Sequence, residues 1–128
     1  MNMVWLVMLL ALLQYTIFIF MVGRARGRFG VSAPAVTGHE EFERYYRVQM
    51  NTVEMLVALI PALGIGAMVL SNEFASAMGA IYLVGRQLYF MSYVKNQSRG
   101  LGFVLSFLPI IVLILGSVGM IVKEVVIK

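Results

Sequence analysis

The stretch LGFVLSFLPIIVLILGSVGMIV, residues 101–122, carries no charged side chain. A bilayer's hydrocarbon core is about 30 Å thick, which a helix of around 20 apolar residues can cross. Backbone amides and carbonyls find no water there, so a helix, which pairs them internally, is the structure expected in lipid. This stretch therefore predicts a membrane-spanning helix and an integral membrane protein.

Three further apolar segments precede this one. They cover residues 1–23, the stretch that ends near Leu70, and Phe74 to Tyr93. A cleaved signal peptide would carry its positive charge before the apolar run, whereas here the arginines follow residue 23, so the first segment is interpreted as a mature helix. We expect a single domain over residues 1–128, with helices at approximately 2–24, 41–70, 73–95 and 100–123. Short connections predict an all-α membrane protein with an up-down four-helix bundle.

The composition of the whole chain agrees with this interpretation. Hydrophobic residues make up 61% and charged residues 12%, whereas soluble domains are about half apolar and a quarter charged. The chain has no cysteine and one histidine, His39, so no metal site is expected. The net charge of +4 comes from basic residues at the ends of apolar segments, and therefore no nucleic-acid partner is expected.

The basic residues also predict an orientation. Lys123 and Lys128 are assigned to one side of the membrane, whereas the other side holds Arg24, Arg26, Arg28, Arg44, Arg47, Lys95 and Arg99. The positive-inside rule then places the basic loops in the cytoplasm and both termini on the opposite side. The short loops favour a bacterial inner membrane over the endoplasmic reticulum.

Two sets of polar residues fall within the second and third predicted helices. Arg47, Asn51 and Glu54 share one face of the second helix, where each charge costs a few kcal/mol to insert. They could form a buried ion-pair network with Arg86, or they could bind a ligand, and the residues alone leave both interpretations open.

The third helix carries Tyr82, Arg86, Tyr89 and Tyr93 in a single stripe. Tyr93 alone would be typical of the interfacial aromatic belt, but a stripe that also holds an arginine is not. Guanidinium groups bind carboxylates in fork geometry, and a carboxylate can receive an ammonium group. Together the two helices suit a small zwitterionic or anionic ligand with several carboxylates.

Two motifs carry a resemblance to a known family. The string VTGHEEFERYYRVQMNTVE, residues 36–54, contains Phe-Glu-Arg followed by Arg-x-Gln-x-Asn-x-x-Glu, and GRQLYFMSY, residues 85–93, lies in the third helix. Both resemble the MAPEG family, the membrane-associated proteins in eicosanoid and glutathione metabolism. The likeness is strongest to its microsomal glutathione transferase 2 and leukotriene C4 synthase branch, and it covers nearly the whole chain.

The resemblance implies a homotrimer with glutathione sites at subunit interfaces near the cytoplasmic side. It implies a membrane-bound glutathione transferase that conjugates the glutathione thiolate to hydrophobic electrophiles, with glutathione-dependent reduction of lipid hydroperoxides as a side activity. Arg99 is the expected catalytic residue, which would activate the thiol. With Arg86 from the same stripe, the expected glutathione contacts are Arg26, Arg47, Gln49, Asn51, Glu54, Tyr89 and Tyr93.

Three departures from the family pattern limit how far the residue roles implied by the resemblance apply to this chain. The loop before Arg99 is one residue shorter than in the eukaryotic relatives, so Arg99 reaches the thiol only if the loop or the helix start adjusts. Met55 and Gly27 stand where relatives have tyrosine and arginine, respectively, and leukotriene synthesis is accordingly not expected.

The alternatives are a non-catalytic lipid-binding scaffold resembling five-lipoxygenase-activating protein, and a small transporter. The charges cluster at one end of the predicted bundle without crossing it, which disfavours the transporter.

Overall fold

The computed structural model describes residues 2–127, which form four α-helices. These are α1 (Met3–Phe29), α2 (Glu40–Val69), α3 (Asn72–Val94) and α4 (Gly100–Val126). The all-helical prediction is confirmed. The main difference in bounds is that α1 continues past the predicted end at residue 24 to Phe29. It stops at Gly30, whose left-handed backbone (φ 70°, ψ 33°) is a common way to end a helix.

Three of these helices, α1, α2 and α4, are long and apolar enough to cross a membrane. The protein is therefore an integral membrane protein by the length and composition of its helices. α3 does not meet the same criteria, since it carries Arg86, Gln87 and three tyrosines. That α3 also spans the bilayer stays a prediction.

Contacts between the helices establish the up-down order. Phe18 of α1 stacks on Phe90 of α3 with ring centroids 4.6 Å apart, and Val7 packs near Gly79, so α1 and α3 run parallel. Gly85 faces Leu105 across the boundary between α3 and α4, while Gly102 faces Tyr89. α4 is therefore antiparallel to α3.

α2 and α3 form the centre of the bundle. Each contacts both α1 and α4, whereas α1 and α4 do not contact each other within residues 2–127. The C-terminal ends of α1 and α3 thus lie beside the N-terminal ends of α2 and α4. We call this the basic end, because it holds all the arginines of the chain together with Lys95.

The bundle interior is apolar over most of its length. Leu59 and Leu63 of α2 and Leu113 of α4 are fully buried, whereas Trp5 and Leu115 are 65% exposed. In lipid, van der Waals packing drives helix association, and small residues allow helices to approach closely. The outward apolar side chains suit a protein surrounded by hydrocarbon.

Glycines set the closest approach between helices. Gly66 packs against Leu113 and Gly79 against Val7, whereas Gly119 faces open space. The closest approach to the backbone of a neighbouring helix is between α3 and α4, where a Cβ on Gly102 would lie 2.5 Å from the Tyr89 backbone nitrogen. A Cβ on Gly85 would likewise lie 2.6 Å from the Leu105 carbonyl carbon. α4 is therefore held directly against the tyrosine stripe.

Candidate ligand-binding site at the basic end

Arg86 joins three helices through hydrogen bonds inside the bundle. Its side chain is 0% exposed. Nη1 donates to Oδ1 of Asn51 on α2 at 2.8 Å, and Nη2 donates to Oγ of Ser106 on α4 at 2.9 Å. Oγ1 of Thr52 lies 3.5 Å from Nη1. The arginine thereby fixes the position of Asn51 relative to α3 and α4.

The charge of Arg86 is compensated by neutral groups. Its guanidinium carbon lies 4.3 Å from the ring centroid of Tyr89 and 5.9 Å from that of Tyr82, which are favourable cation–π distances. Ser106 and Thr52 in turn bond to carbonyls of their own helices. Within residues 2–127 no carboxylate pairs with Arg86. The ion-pair interpretation is therefore not what the structure shows, because of Arg47, Asn51 and Glu54 only Asn51, which is uncharged, bonds to Arg86.

Arg47 and Glu54 occupy the open face of α2. Both side chains are exposed. They line a cavity of about 350 Å³ with Val36, Thr37, Glu43, Tyr46 and Met50. In the part of the chain that the structure describes, the sole ion pair is between Arg44 and Glu40, at 3.6 Å. A cation and a carboxylate are thus left available beside one cavity.

Tyr89, Tyr93 and Arg99 meet where α3 approaches α4. The two tyrosine rings lie 5.4 Å apart, and the guanidinium carbon of Arg99 lies 4.0 Å from the Tyr93 ring centroid. Arg99 immediately precedes α4, and the contact of Gly102 with Tyr89 holds the start of α4 against α3. Tyr89 and Tyr93 therefore lie together beside the start of α4.

The two other predicted glutathione contacts, Arg26 and Gln49, do not line the cavity beside Arg47 and Glu54. Arg26 donates to the Ala35 carbonyl at 2.6 Å and lies over the Phe42 ring at 4.9 Å, so within its own chain it holds the connection between α1 and α2. Gln49 is half-buried, and it points away from the face shared by Arg47 and Glu54 because it is two positions from Arg47. Neither residue joins the cavity beside Arg47 and Glu54.

The sequence reasoning missed several residues that support the site. Ser106 and Thr52 are 0% exposed and contact the guanidinium of Arg86, and Gly102 permits the close approach at Tyr89. The sequence offered one signal for Ser106 and Thr52, because a hydroxyl side chain in an apolar membrane helix tends to bond to a neighbouring helix. No group of three His, Cys, Asp or Glu able to hold a metal occurs among residues 2–127.

Comparison with known proteins identifies the family of this helical bundle. The sequence profile of the MAPEG family matches residues 4–119. An uncharacterized protein of the bacterium Synechocystis sp. is 40% identical over 88% of this chain and 82% of its own length. Human microsomal glutathione S-transferase 2 is 37% identical over 88% of this chain and 78% of its length. Bovine leukotriene C4 synthase is 35% identical over 74% of this chain and 63% of its own length. The chain therefore belongs to the MAPEG family.

Proposed function

We propose that this protein is a membrane-bound glutathione transferase that conjugates glutathione to hydrophobic electrophiles. The observation that supports it most is the pair of exposed charges on α2, Arg47 and Glu54, which line one cavity without forming an ion pair with each other. Charges near lipid are costly unless they have a partner. Two relatives at 35–37% identity bear the names of a glutathione transferase and a leukotriene C4 synthase.

The chemistry of the tripeptide fits the groups at the basic end. Glutathione carries two carboxylates, one ammonium group and one thiol. An arginine such as Arg47 can bind a carboxylate through paired N–H donors, and Glu54 can accept from the ammonium group. Asn51, whose Oδ1 accepts from Arg86, can donate to the ligand through its amide N–H groups, and the Tyr89 and Tyr93 phenols can donate to the remaining carbonyls.

Arg99 is proposed to activate the thiol. A free cysteine thiol has a pKa near 8.5 and is mostly protonated at neutral pH, while the thiolate is the nucleophile. A guanidinium beside the sulfur stabilises the anion and lowers the thiol pKa. The position of Arg99 over the Tyr93 ring places this cation beside the tyrosines, with the five-residue connection 95–99 ending at the start of α4.

The reaction then proceeds at the boundary between water and lipid. The thiolate attacks an electrophilic carbon, a carbon–sulfur bond forms, and the leaving group departs with the electron pair of its bond. With a lipid hydroperoxide, attack on oxygen would release an alcohol and leave a glutathione sulfenic acid. A second glutathione would convert that acid to the disulfide and water.

The proposed assembly is a homotrimer in which neighbouring chains complete each site. Arg47 and Glu54 are exposed in the single chain, and Arg26, which bonds to the Ala35 carbonyl, does not line their cavity. Arg26 would therefore contact glutathione bound to a neighbouring chain.

We propose that all four helices span a bacterial inner membrane, with the basic end in the cytoplasm and both termini on the opposite side of the membrane.

The direct test is ultraviolet difference spectroscopy of purified protein in detergent after glutathione is added. We expect thiolate absorbance near neutral pH, together with conjugation of a chlorodinitrobenzene-type electrophile. A lipid-binding scaffold would form no thiolate, and a transporter would move solute into proteoliposomes without conjugation. Either result would overturn the proposal.

A further inference from the structure

A second cavity, lined by cationic side chains, lies at the basic end between α1 and α2. Arg24 and Arg28 are exposed and one helical turn apart. They line a cavity of about 210 Å³ with Met21, Ala25, Phe29 and Tyr45. Tyr45, from α2, closes its inner wall. The cavity therefore combines two guanidinium groups, a phenol and apolar side chains.

These arginines have no role in the proposed glutathione site. Arg26, which lies between them in sequence, is turned towards the Ala35 carbonyl, and the cavity beside Arg47 and Glu54 shares no residue with this one. Among the described residues, neither Arg24 nor Arg28 has a carboxylate within ion-pair distance. The guanidinium of Arg28 lies 5.0 Å from the ring centroid of Phe29. Both cations are thus free to bind an anion.

The same face of α1 continues into the lipid as an apolar stripe. Leu13, Ile17 and Phe20 are 54%, 50% and 69% exposed, and their spacing places them in line with Arg24 and Arg28. At 1.5 Å per residue, the stripe from Leu13 to Arg24 is about 16 Å long. Half of a hydrocarbon core of about 30 Å is about 15 Å. The stripe therefore matches the length of acyl chains in one leaflet.

We propose that Arg24, Arg28 and Tyr45 form a binding site for the headgroup phosphate of an anionic phospholipid, whose acyl chains lie along Leu13, Ile17 and Phe20. Guanidinium groups bind phosphate oxygens through paired donors, and basic pockets beside transmembrane helices on the cytoplasmic side suit anionic headgroups. A zwitterionic headgroup brings an ammonium group that two guanidinium groups repel. The site therefore selects lipids of net negative charge.

The test is native mass spectrometry of the detergent-solubilised protein titrated with phosphatidylglycerol or with phosphatidylcholine of the same acyl chains. We expect wild-type protein to bind phosphatidylglycerol at least tenfold more tightly. The R24Q/R28Q variant should lose this preference, whereas R24K/R28K should keep part of it because the charge remains. The matched control K95Q/K123Q removes the same net charge at other exposed positions and should behave as wild type.

Three outcomes would overturn the inference. They are equal binding of the two lipids to wild-type protein, an unchanged preference in R24Q/R28Q, and loss of bound phosphatidylglycerol when inorganic phosphate is added at equal concentration. The last would indicate a site for free phosphate. Glutathione affinity, measured by calorimetry on the same samples, should be unchanged in R24Q/R28Q, so the lipid site and the proposed function can fail separately.

Discussion

The guanidinium of Arg86 donates a 2.8 Å hydrogen bond to the amide oxygen of Asn51, and this bond links the buried centre of α3 to the charged face of α2. Arg86 has no exposed surface and also reaches Ser106 on α4. It is therefore a positioning residue in the proposed site. Its effect on a ligand would be exerted through Asn51 and Tyr89.

Replacing Arg86 with Leu should lower stability and weaken glutathione binding together. Leaving a buried hydrogen-bonding partner unsatisfied costs about 1–3 kcal/mol, and Asn51 loses its anchor. Ser106→Ala is the matched control, since it removes one bond to Arg86 but leaves the bond to Asn51. We expect both variants to lower the melting temperature but only R86L to raise the KM for glutathione several-fold. An equal rise in KM for both would show that the bond to Asn51 has no specific role.

Removing Arg99 should change the pH dependence of catalysis. In the proposed mechanism the guanidinium lowers the pKa of the glutathione thiol, so its loss should raise that pKa towards 8.5 and reduce the thiolate fraction below that pH. For a change of one pKa unit we expect about a tenfold loss of turnover near pH 7 in R99A, recovering as the pH rises. Arg99→Lys should retain part of the activity. A pH–rate profile of R99A that overlays the wild-type profile would remove Arg99 from the mechanism.

Glu54 should recognise the ammonium group of glutathione. A hydrogen bond to a charged group contributes about 1.5–3 kcal/mol, which corresponds to roughly a tenfold to hundredfold loss of affinity in Glu54→Gln. N-acetylglutathione, which lacks the ammonium charge, should bind wild type and E54Q with similar affinity. Titration calorimetry with both ligands checks this. If E54Q weakened both ligands by the same factor, Glu54 would not contact the ammonium group.

The contact between α3 and α4 should not tolerate a methyl group at Gly102. A Cβ there would lie 2.6 Å from the Tyr89 Cα, so the helices must separate, and overpacking of this kind costs about 1–3 kcal/mol. Gly119→Ala, in the same helix with open space around it, is the control. Thermal unfolding in detergent should show a lower melting temperature for G102A alone. Similar melting temperatures for the two variants would contradict the close approach.

The four helices could be predicted from the sequence because each contains a long apolar stretch, although only α1, α2 and α4 are apolar enough to cross a membrane. The end of α1 could not be predicted, because the arginine-rich residues 24–28 are typical of a loop. In the structure they are helical, and the left-handed Gly30 terminates the helix. The polar residues of the site were identifiable because charges near lipid are rare. The contacts between these residues could not be predicted. Spacing places Asn51 and Glu54 on one face of α2, but it does not show that only Asn51 turns inwards and bonds to Arg86. Ser106 was missed, since its function depends on a tertiary contact with α3.

The central claim is that the exposed charges of α2 bind glutathione, and isothermal titration of the purified protein in detergent tests it most directly. Wild-type protein should bind glutathione saturably, Arg47→Ala should bind at least tenfold more weakly, and Lys95→Ala, at the same end of the bundle, should match wild type. If wild-type protein shows no saturable binding, or if R47A binds as tightly as wild type, the claim is wrong.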